Sequence, residues 1–308
     1  MRCRQSCPSG PSTPQRRDRS PPPRASPAPQ PCLGTVFRDT PHTVNRSQFL
    51  RQLTLLAGAT VAGCATGGSR KPGPTLRALT YNIHHGEGLD GQLDLIRIAQ
   101  SIKDSNADLV ALQEVDRGAD RTGRRDLLNE IAFHTGLTPL FGKNIPLQGG
   151  EYGNAILSRY PIRQSSNLLY RAVGGGEQRG LLQAVVDVDG HPVVFCSTHL
   201  DHRADDATRR ACIPEILKAV GSHPGLPFIL AGDFNDQPGS RFDVEMNGHF
   251  KDAWRLAGVI GGGTYPTNHP DRRIDFIWIQ GPIKALAAEV RSGDGSDHLP
   301  LLATLQLT

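Results

Sequence analysis

Residues 75–308 predict a layered α/β sandwich in one domain, on three observations. Short, largely apolar runs of strand length recur from residue 77 to residue 306 and outnumber the segments with helical periodicity. The first two of these runs bracket a helix, giving a strand–helix–strand opening. The span of 234 residues is long enough to bury a substantial core. In order, the strands begin with residues 77–84 and 109–114. Between them Leu95, Ile98, Ala99 and Ile102 fall at i, i+3, i+4 and i+7, the apolar stripe of an amphipathic helix. A second helix is expected over 127–135. Strands follow at 155–158, 181–188 and 193–199, and Asp189-Gly190 predicts a hairpin between the last two. A helix over 205–220 contains Pro214, which lacks an N–H and predicts a kink or a division there. Strands at 228–234, 274–279, 284–290 and 301–306 complete the domain.

The first 74 residues stand apart. They hold twelve of the 24 prolines, and residues 1–43 have no apolar period that could bury a core, so they read as a disordered or spurious extension. Residues 44–64 read as an export signal. A basic stretch between Arg46 and Arg51 leads into the apolar run 53–63, which has the length of a signal-peptide core and is too short to span a bilayer. Val61-Ala62-Gly63-Cys64 resembles a bacterial lipobox, which implies cleavage before Cys64 and a membrane anchor through lipid on that cysteine, on the periplasmic or cell-surface side. With no Met between Met1 and Met246, the expected true start is Val44. The segment from Asn45 to Arg51 is similar to a twin-arginine signal without its second arginine, so the export route stays open. The competing reading is a cytosolic chain in which Cys64 is incidental. Residues 65–74 read as a flexible linker.

Charge divides at the same place. Residues 1–74 carry eleven Lys/Arg against two acids, leaving 23 basic and 28 acidic residues for 75–308. The net charge of +4 therefore belongs to the N-terminal segment, and the domain gives no electrostatic argument for a nucleic-acid partner.

Polar residues collect where strands end: Asn82, Gln113-Glu114, His199, Asp233 with Asn235, Asp275, and Ser296-Asp297-His298. Strand ends on one sheet edge would gather them into the kind of site that metal-assisted hydrolysis needs. Hard oxygen donors such as Glu114, Asn82 and Asp297 suit Mg²⁺ or Mn²⁺, and zinc is disfavoured because no Cys/His ligand spacing occurs. Each residue alone has an ordinary explanation, a solvated turn for Glu114 or an Asx-turn for Asp233. Their joint occurrence in order argues for one shared site.

That ordered set resembles the endonuclease/exonuclease/phosphatase superfamily, which groups deoxyribonucleases, abasic-site endonucleases, neutral sphingomyelinases and inositol polyphosphate 5-phosphatases. The likeness covers residues 75–308 and is strongest to small bacterial metal-dependent hydrolases. It implies a four-layered α/β sandwich of two mixed sheets with helices outside, and hydrolysis of a phosphate ester. It further implies that Glu114 binds the metal with Asn82 and Asp297 near it, that Asp233 orients or deprotonates the attacking water, that Asn235 holds a phosphate oxygen, and that His199 contacts the phosphate or, as in some members, protonates the leaving group. His298 would face the scissile phosphate, with Asp275 fixing its tautomer and charge. Asn154 and Arg179 match motifs that line the cleft, although for Arg179 and for Tyr152 packing or a salt bridge is an equal alternative. The cluster Arg117, Arg121, Arg124 and Arg125 reads as a solvated face or as a rim for an anionic headgroup. His84, His85 and His202 flank the site without a required role. Cys196 and Cys212 read as small core residues that an exported protein could join. The expected substrate is a small or lipid-linked phosphate ester, with a nuclease as second reading and an inactive anchored binding module as third.

Overall fold

The computed structural model describes residues 73–171 and 174–308. In chain order the elements are β1 (Thr75–Asn82), α1 (Leu95–Ser105), β2 (Leu109–Arg117), α2 (Leu127–Thr135), β3 (Thr138–Leu147), β4 (Gly150–Ser158), β5 (Ile162–Leu169), β6 (Gly180–Val188) and β7 (His191–His199). Then come α3 (Ala207–Gly221), β8 (Phe228–Asp233), α4 (Arg241–Asn247), β9 (Lys251–Asp252), α5 (Ala253–Leu256), β10 (Asp275–Gln280), β11 (Ile283–Val290) and β12 (Leu301–Leu307). The export-like segment 44–64 and Cys64 lie outside the described residues. Gly73 and Pro74, expected in the linker, already exchange backbone hydrogen bonds with Leu307.

Two six-stranded mixed sheets form, ordered β11-β12-β1-β2-β4-β3 and β5-β6-β7-β8-β10-β9. Each has one parallel pair near its centre, β1 with β2 and β7 with β8, joined by crossovers that contain α1 and α3. Strand alternation sorts the apolar residues into layers. Leu76, Ala78, Leu109 and Ala111 face Ala184, Phe195, Ile229 and Ile277 between the sheets. Leu79, Tyr81, Val110 and Leu112 face the opposite way, under α1 and α2. Val194, Cys196, Leu230 and Trp278 do the same under α3 and α4. The result is the four-layered sandwich expected from the resemblance.

Local chemistry sets the boundaries. Asp94 caps α1 by accepting from Ile96 N at 2.9 Å, Asp126 caps α2, and Gly136 ends α2 at φ 73°. Asp189 and Gly190, both at positive φ, form the two-residue turn between β6 and β7. Three expectations are corrected. The run at 155–158 is the end of a nine-residue strand that begins at Gly150 and pairs with β3, which the sequence hid because it carries Pro139 and Pro146 as an edge strand can. Two further unexpected strands are also edge strands: β5, which reads as polar loop because it is largely exposed, and the two-residue β9. Finally, α3 runs undivided through Pro214. Cys196 and Cys212 are free and buried, one in β7 and one in α3. No helix among the described residues is long and apolar enough to cross a membrane.

Candidate active site

Strand register brings the chemistry together. In the second sheet His199, Asp233 and Asp275 lie in one row across β7, β8 and β10, since Asp233 pairs with both of the others. In the first sheet Asn82 pairs with Gln113 at the ends of the parallel pair. Gly232 precedes Asp233 because a Cβ there would stand 2.0 Å from Thr198 O, so only glycine lets β8 come this close to β7. At Glu114, β2 has an extra residue: the register with β4 passes from Leu112↔Ala155 to Val115↔Gly153, and Glu114 adopts φ 60°. That bulge turns the carboxylate into the cleft at a cost in backbone strain of about 1–3 kcal/mol.

The two sheets are tied beneath the site. Asn82 Nδ2 donates to Glu114 Oε1 at 3.1 Å and across the sheets to Asp233 Oδ2 at 3.0 Å. Its Oδ1 accepts from the backbone N–H of His84, in a turn where His84 and His85 both adopt φ 43°. Deeper, Thr80 Oγ1 donates to Gln113 Oε1, and Gln113 Nε2 donates across to Ser197 Oγ. His298 Nδ1 donates to Asp275 Oδ2 at 2.9 Å, and its Nε2 is 3.7 Å from Asp233 Oδ2. Arg179 Nη1 donates to His199 Nδ1 at 2.8 Å and also meets Glu177. Asn235, at φ 50°, places Nδ2 3.1 Å from His199 Nε2.

These residues floor a cleft of about 500 Å³. Glu114, Arg179, His199, Asp233, Asn235, Asp297 and His298 line it, whereas Asn82 and Asp275 support them from behind. Asn154 is not a lining residue; it is buried in β4, donating to Gly180 O at 2.9 Å, with Oδ1 unpartnered among the described residues. His202 joins the lining; His84 and His85 do not. Of the arginine cluster only Arg121 reaches the cleft. Arg117, Arg124 and Arg125 pair with Glu151, Asp120 and Glu130 on the surface. The banks of the cleft come from residues that sequence reasoning left aside: Ile145, Leu147, Tyr265, Arg272 and Ile274. Ile145 and Leu147 sit in the strand the prolines concealed, and Tyr265 and Arg272 in a loop with no periodicity.

Burial and charge polarise the two histidines in opposite directions. Burial opposes a charge on His298, but the carboxylates of Asp275 and Asp233 outweigh it and raise its pKa to about 10. Burial, reinforced by Arg179, holds His199 neutral, well below the usual histidine range. Asp233 is pushed up to about 7 by burial, against the lowering effect of His298.

The donor set fits a hard divalent cation. Glu114 and Asp297 present carboxylates to the cleft, and Asp275 Oδ1 is buried with no partner among the described residues. Asp233, Asp275 and His298 also offer atoms within 4.8 Å of one another. A protonated His298 donates rather than coordinates, which leaves the oxygens as the ligands of choice.

Two mixed sheets packed face to face, with carboxylates, amides and imidazoles at the ends of the central strands, form the sandwich of the deoxyribonuclease-like fold. The chain belongs to the Endonuclease/Exonuclease/phosphatase family, whose model matches residues 79–298, and is therefore a hydrolase of phosphate esters. It is 29% identical over 249 residues to YbhP of Escherichia coli K12, covering 76% of this chain and 97% of that protein. A family structure from Beutenbergia cavernae matches with 28% identity and TM-score 0.62, over 76% of this chain and 72% of that one. The mannosyl-6-phosphatase of Bacteroides thetaiotaomicron has the same fold at 20% identity and TM-score 0.62, over 75% of this chain and 99% of that one.

Proposed function

We propose that this protein is a divalent-metal-dependent phosphodiesterase or phosphatase that acts outside the cytoplasm on a small or lipid-linked phosphate ester. The observation that carries the reading is the unbroken line of contacts Asp275–His298–Asp233–Asn82–Glu114 along the cleft floor. Glu114 and Asp297 would hold Mg²⁺ or Mn²⁺, with Asn82 fixing Glu114 through its amide nitrogen. When bound, the cation supplies a Lewis acid for the phosphoryl and leaving oxygens.

The chain's own groups do the rest. His298, kept cationic by Asp275, binds the phosphate and meets the negative charge that grows on its oxygens. Asp233 orients the attacking water and takes its proton; a carboxylate tuned toward neutrality is a stronger base than one in water. Asn235 and the neutral His199 hold a phosphate oxygen, and Arg179 positions the His199 ring through Nδ1. Among fold relatives, a sugar-phosphate phosphatase supports a small ester. The order of basic stretch, apolar run and Cys64 supports export and lipid anchoring.

A substrate panel with Mg²⁺, Mn²⁺ or EDTA tests the activity: bis-p-nitrophenyl phosphate, p-nitrophenyl phosphate, sugar and inositol phosphates, sphingomyelin, and DNA and RNA. EDTA-sensitive cleavage of a small or lipid-linked ester is the expected result. Cleavage of nucleic acid alone would replace this reading with a nuclease, and silence without metal binding would replace it with a binding module. For the anchor, palmitate labelling that disappears in Cys64→Ser is expected, and intact mass of an unlabelled product retaining Met1 would refute it.

A further inference from the structure

Three arginines line the cleft, and they differ in what already engages them. Arg121 holds Asp116 through Nε and Nη2 at 2.7 and 2.8 Å. Arg179 lies between Glu177 at 3.1 Å and His199 at 2.8 Å. Arg272 makes no side-chain hydrogen bond among the described residues, and its acidic neighbour Asp271 stands 3.9 Å away with both side chains open to solvent. Yet it is not a loose surface arginine. Tyr265 and Arg272 exchange both backbone hydrogen bonds at 3.0 Å, and the guanidinium lies over the Tyr265 ring, 4.6 Å from its centroid. The ring of Tyr265 in turn leans on His298 at 4.7 Å.

A guanidinium stacked on a ring, making no hydrogen bond among the described residues and set against only a solvent-exposed acid, one aromatic ring away from His298, is suited to receive an anion. The cleft is also lined by Ile145, Leu147 and Tyr152, and by Arg121, which is already held by Asp116. Of the lining arginines, Arg272 is therefore the one whose guanidinium has hydrogen bonds still to give. We infer that Arg272 is a specificity-determining residue, and that the substrate carries a second anionic group, a phosphate or carboxylate, beside the ester that is cleaved. This rests on the phosphoesterase reading above. A contact to a non-reacting group binds ground and transition states alike, so its effect falls on KM and not on kcat.

The test compares the full chain with Arg272→Gln and Arg272→Lys on two substrate pairs in Mg²⁺ or Mn²⁺: glucose 1-phosphate against glucose 1,6-bisphosphate, and a dinucleoside monophosphate against a pentanucleotide. Within one pair the wild type is expected to prefer the doubly anionic member. Arg272→Gln should lower that preference about tenfold through KM, and Arg272→Lys should restore part of it, as expected for loss and return of a charge-assisted contact. The responding pair tells whether the second anion belongs to a small ester or to a strand. A preference unchanged in Arg272→Gln, or absent in the wild type, overturns the assignment while leaving the phosphoesterase reading intact. Absence of turnover on these pairs and on the whole ester panel above, without metal binding, overturns that reading and the assignment with it.

Discussion

Replacing Asp275 with asparagine keeps the shape of the site and removes the nearer of the two carboxylates that hold His298 charged. Those carboxylates lift the imidazole from 6.5 to about 10 against burial, a preference for the charged form on the order of 5 kcal/mol. Asp275 supplies the largest favourable share and the 2.9 Å hydrogen bond, so its loss should remove roughly 2–3 kcal/mol, the range of a buried charge-assisted bond. Lowering the imidazole pKa by that amount leaves about a quarter to a twentieth of the variant protonated at pH 9, a fall in kcat/KM of about 4- to 15-fold. At pH 6 the loss should be much smaller, because the variant's imidazole still takes its proton there. The sign is the same for stability. A histidine whose native pKa lies above its unfolded value contributes stability that is complete below pH 6.5 and is lost as pH rises through about 10. In Asp275→Asn that loss moves to lower pH. Turnover of bis-p-nitrophenyl phosphate from pH 6 to 9, with the imidazole proton of His298 followed by NMR in EDTA, measures both. An equal loss at both pH values, or an unchanged titration of His298, would refute the reasoning.

Three further outcomes are expected. Glu114→Ala and Glu114→Gly should both lose the response to Mg²⁺, but Gly, which adopts φ 60° freely, should unfold about 1 kcal/mol later than Ala in urea; equal stability would remove the strain argument. Asp233, with its pKa raised to about 7, makes the metal-free protein lose stability as pH rises from 3.8 through 7, so Mg²⁺ should raise Tm more at pH 8 than at pH 5 in thermal scans. Gln113→Leu leaves Thr80 Oγ1 without its buried acceptor, while Ser197 Oγ keeps its bond to Leu112 O, and should cost about 1–3 kcal/mol by denaturant unfolding; a neutral result would mean that this seam is dispensable.

The sequence carried the centre of the molecule and the edge strand β11 but lost the edges at β3, β5 and β9, for a physical reason. Central strands are buried on both faces, so β1, β2, β7, β8 and β10 stand out as apolar runs, and the site residues are legible because each breaks such a run at its end. Edge strands β3 and β5 face water and tolerate proline and serine, so their composition is that of loops. Hence the floor of the cleft was readable and its banks were not: Ile145, Leu147, Tyr265 and Arg272 take their position from pairing across the chain, which leaves no local pattern. Asn82 was legible as a site residue, but which end of its amide meets the carboxylates depends on the turn at His84.

Two hydrogen bonds at the cleft floor, Asn82 to Asp233 and Gln113 to Ser197, join strands of different sheets. The candidate site thus lies on a seam between two slabs, and the spacing of those slabs is set largely by packed side chains outside the cleft. Tolerance to change should divide the interior accordingly. Around Phe195, Ile229 and Ile277 the side chains act as spacers, and altering their volume moves one half of the machinery relative to the other. Around Trp278 or Leu79, on the outer faces, the same alteration taxes only stability, so the inter-sheet layer is where a drifting sequence is least free.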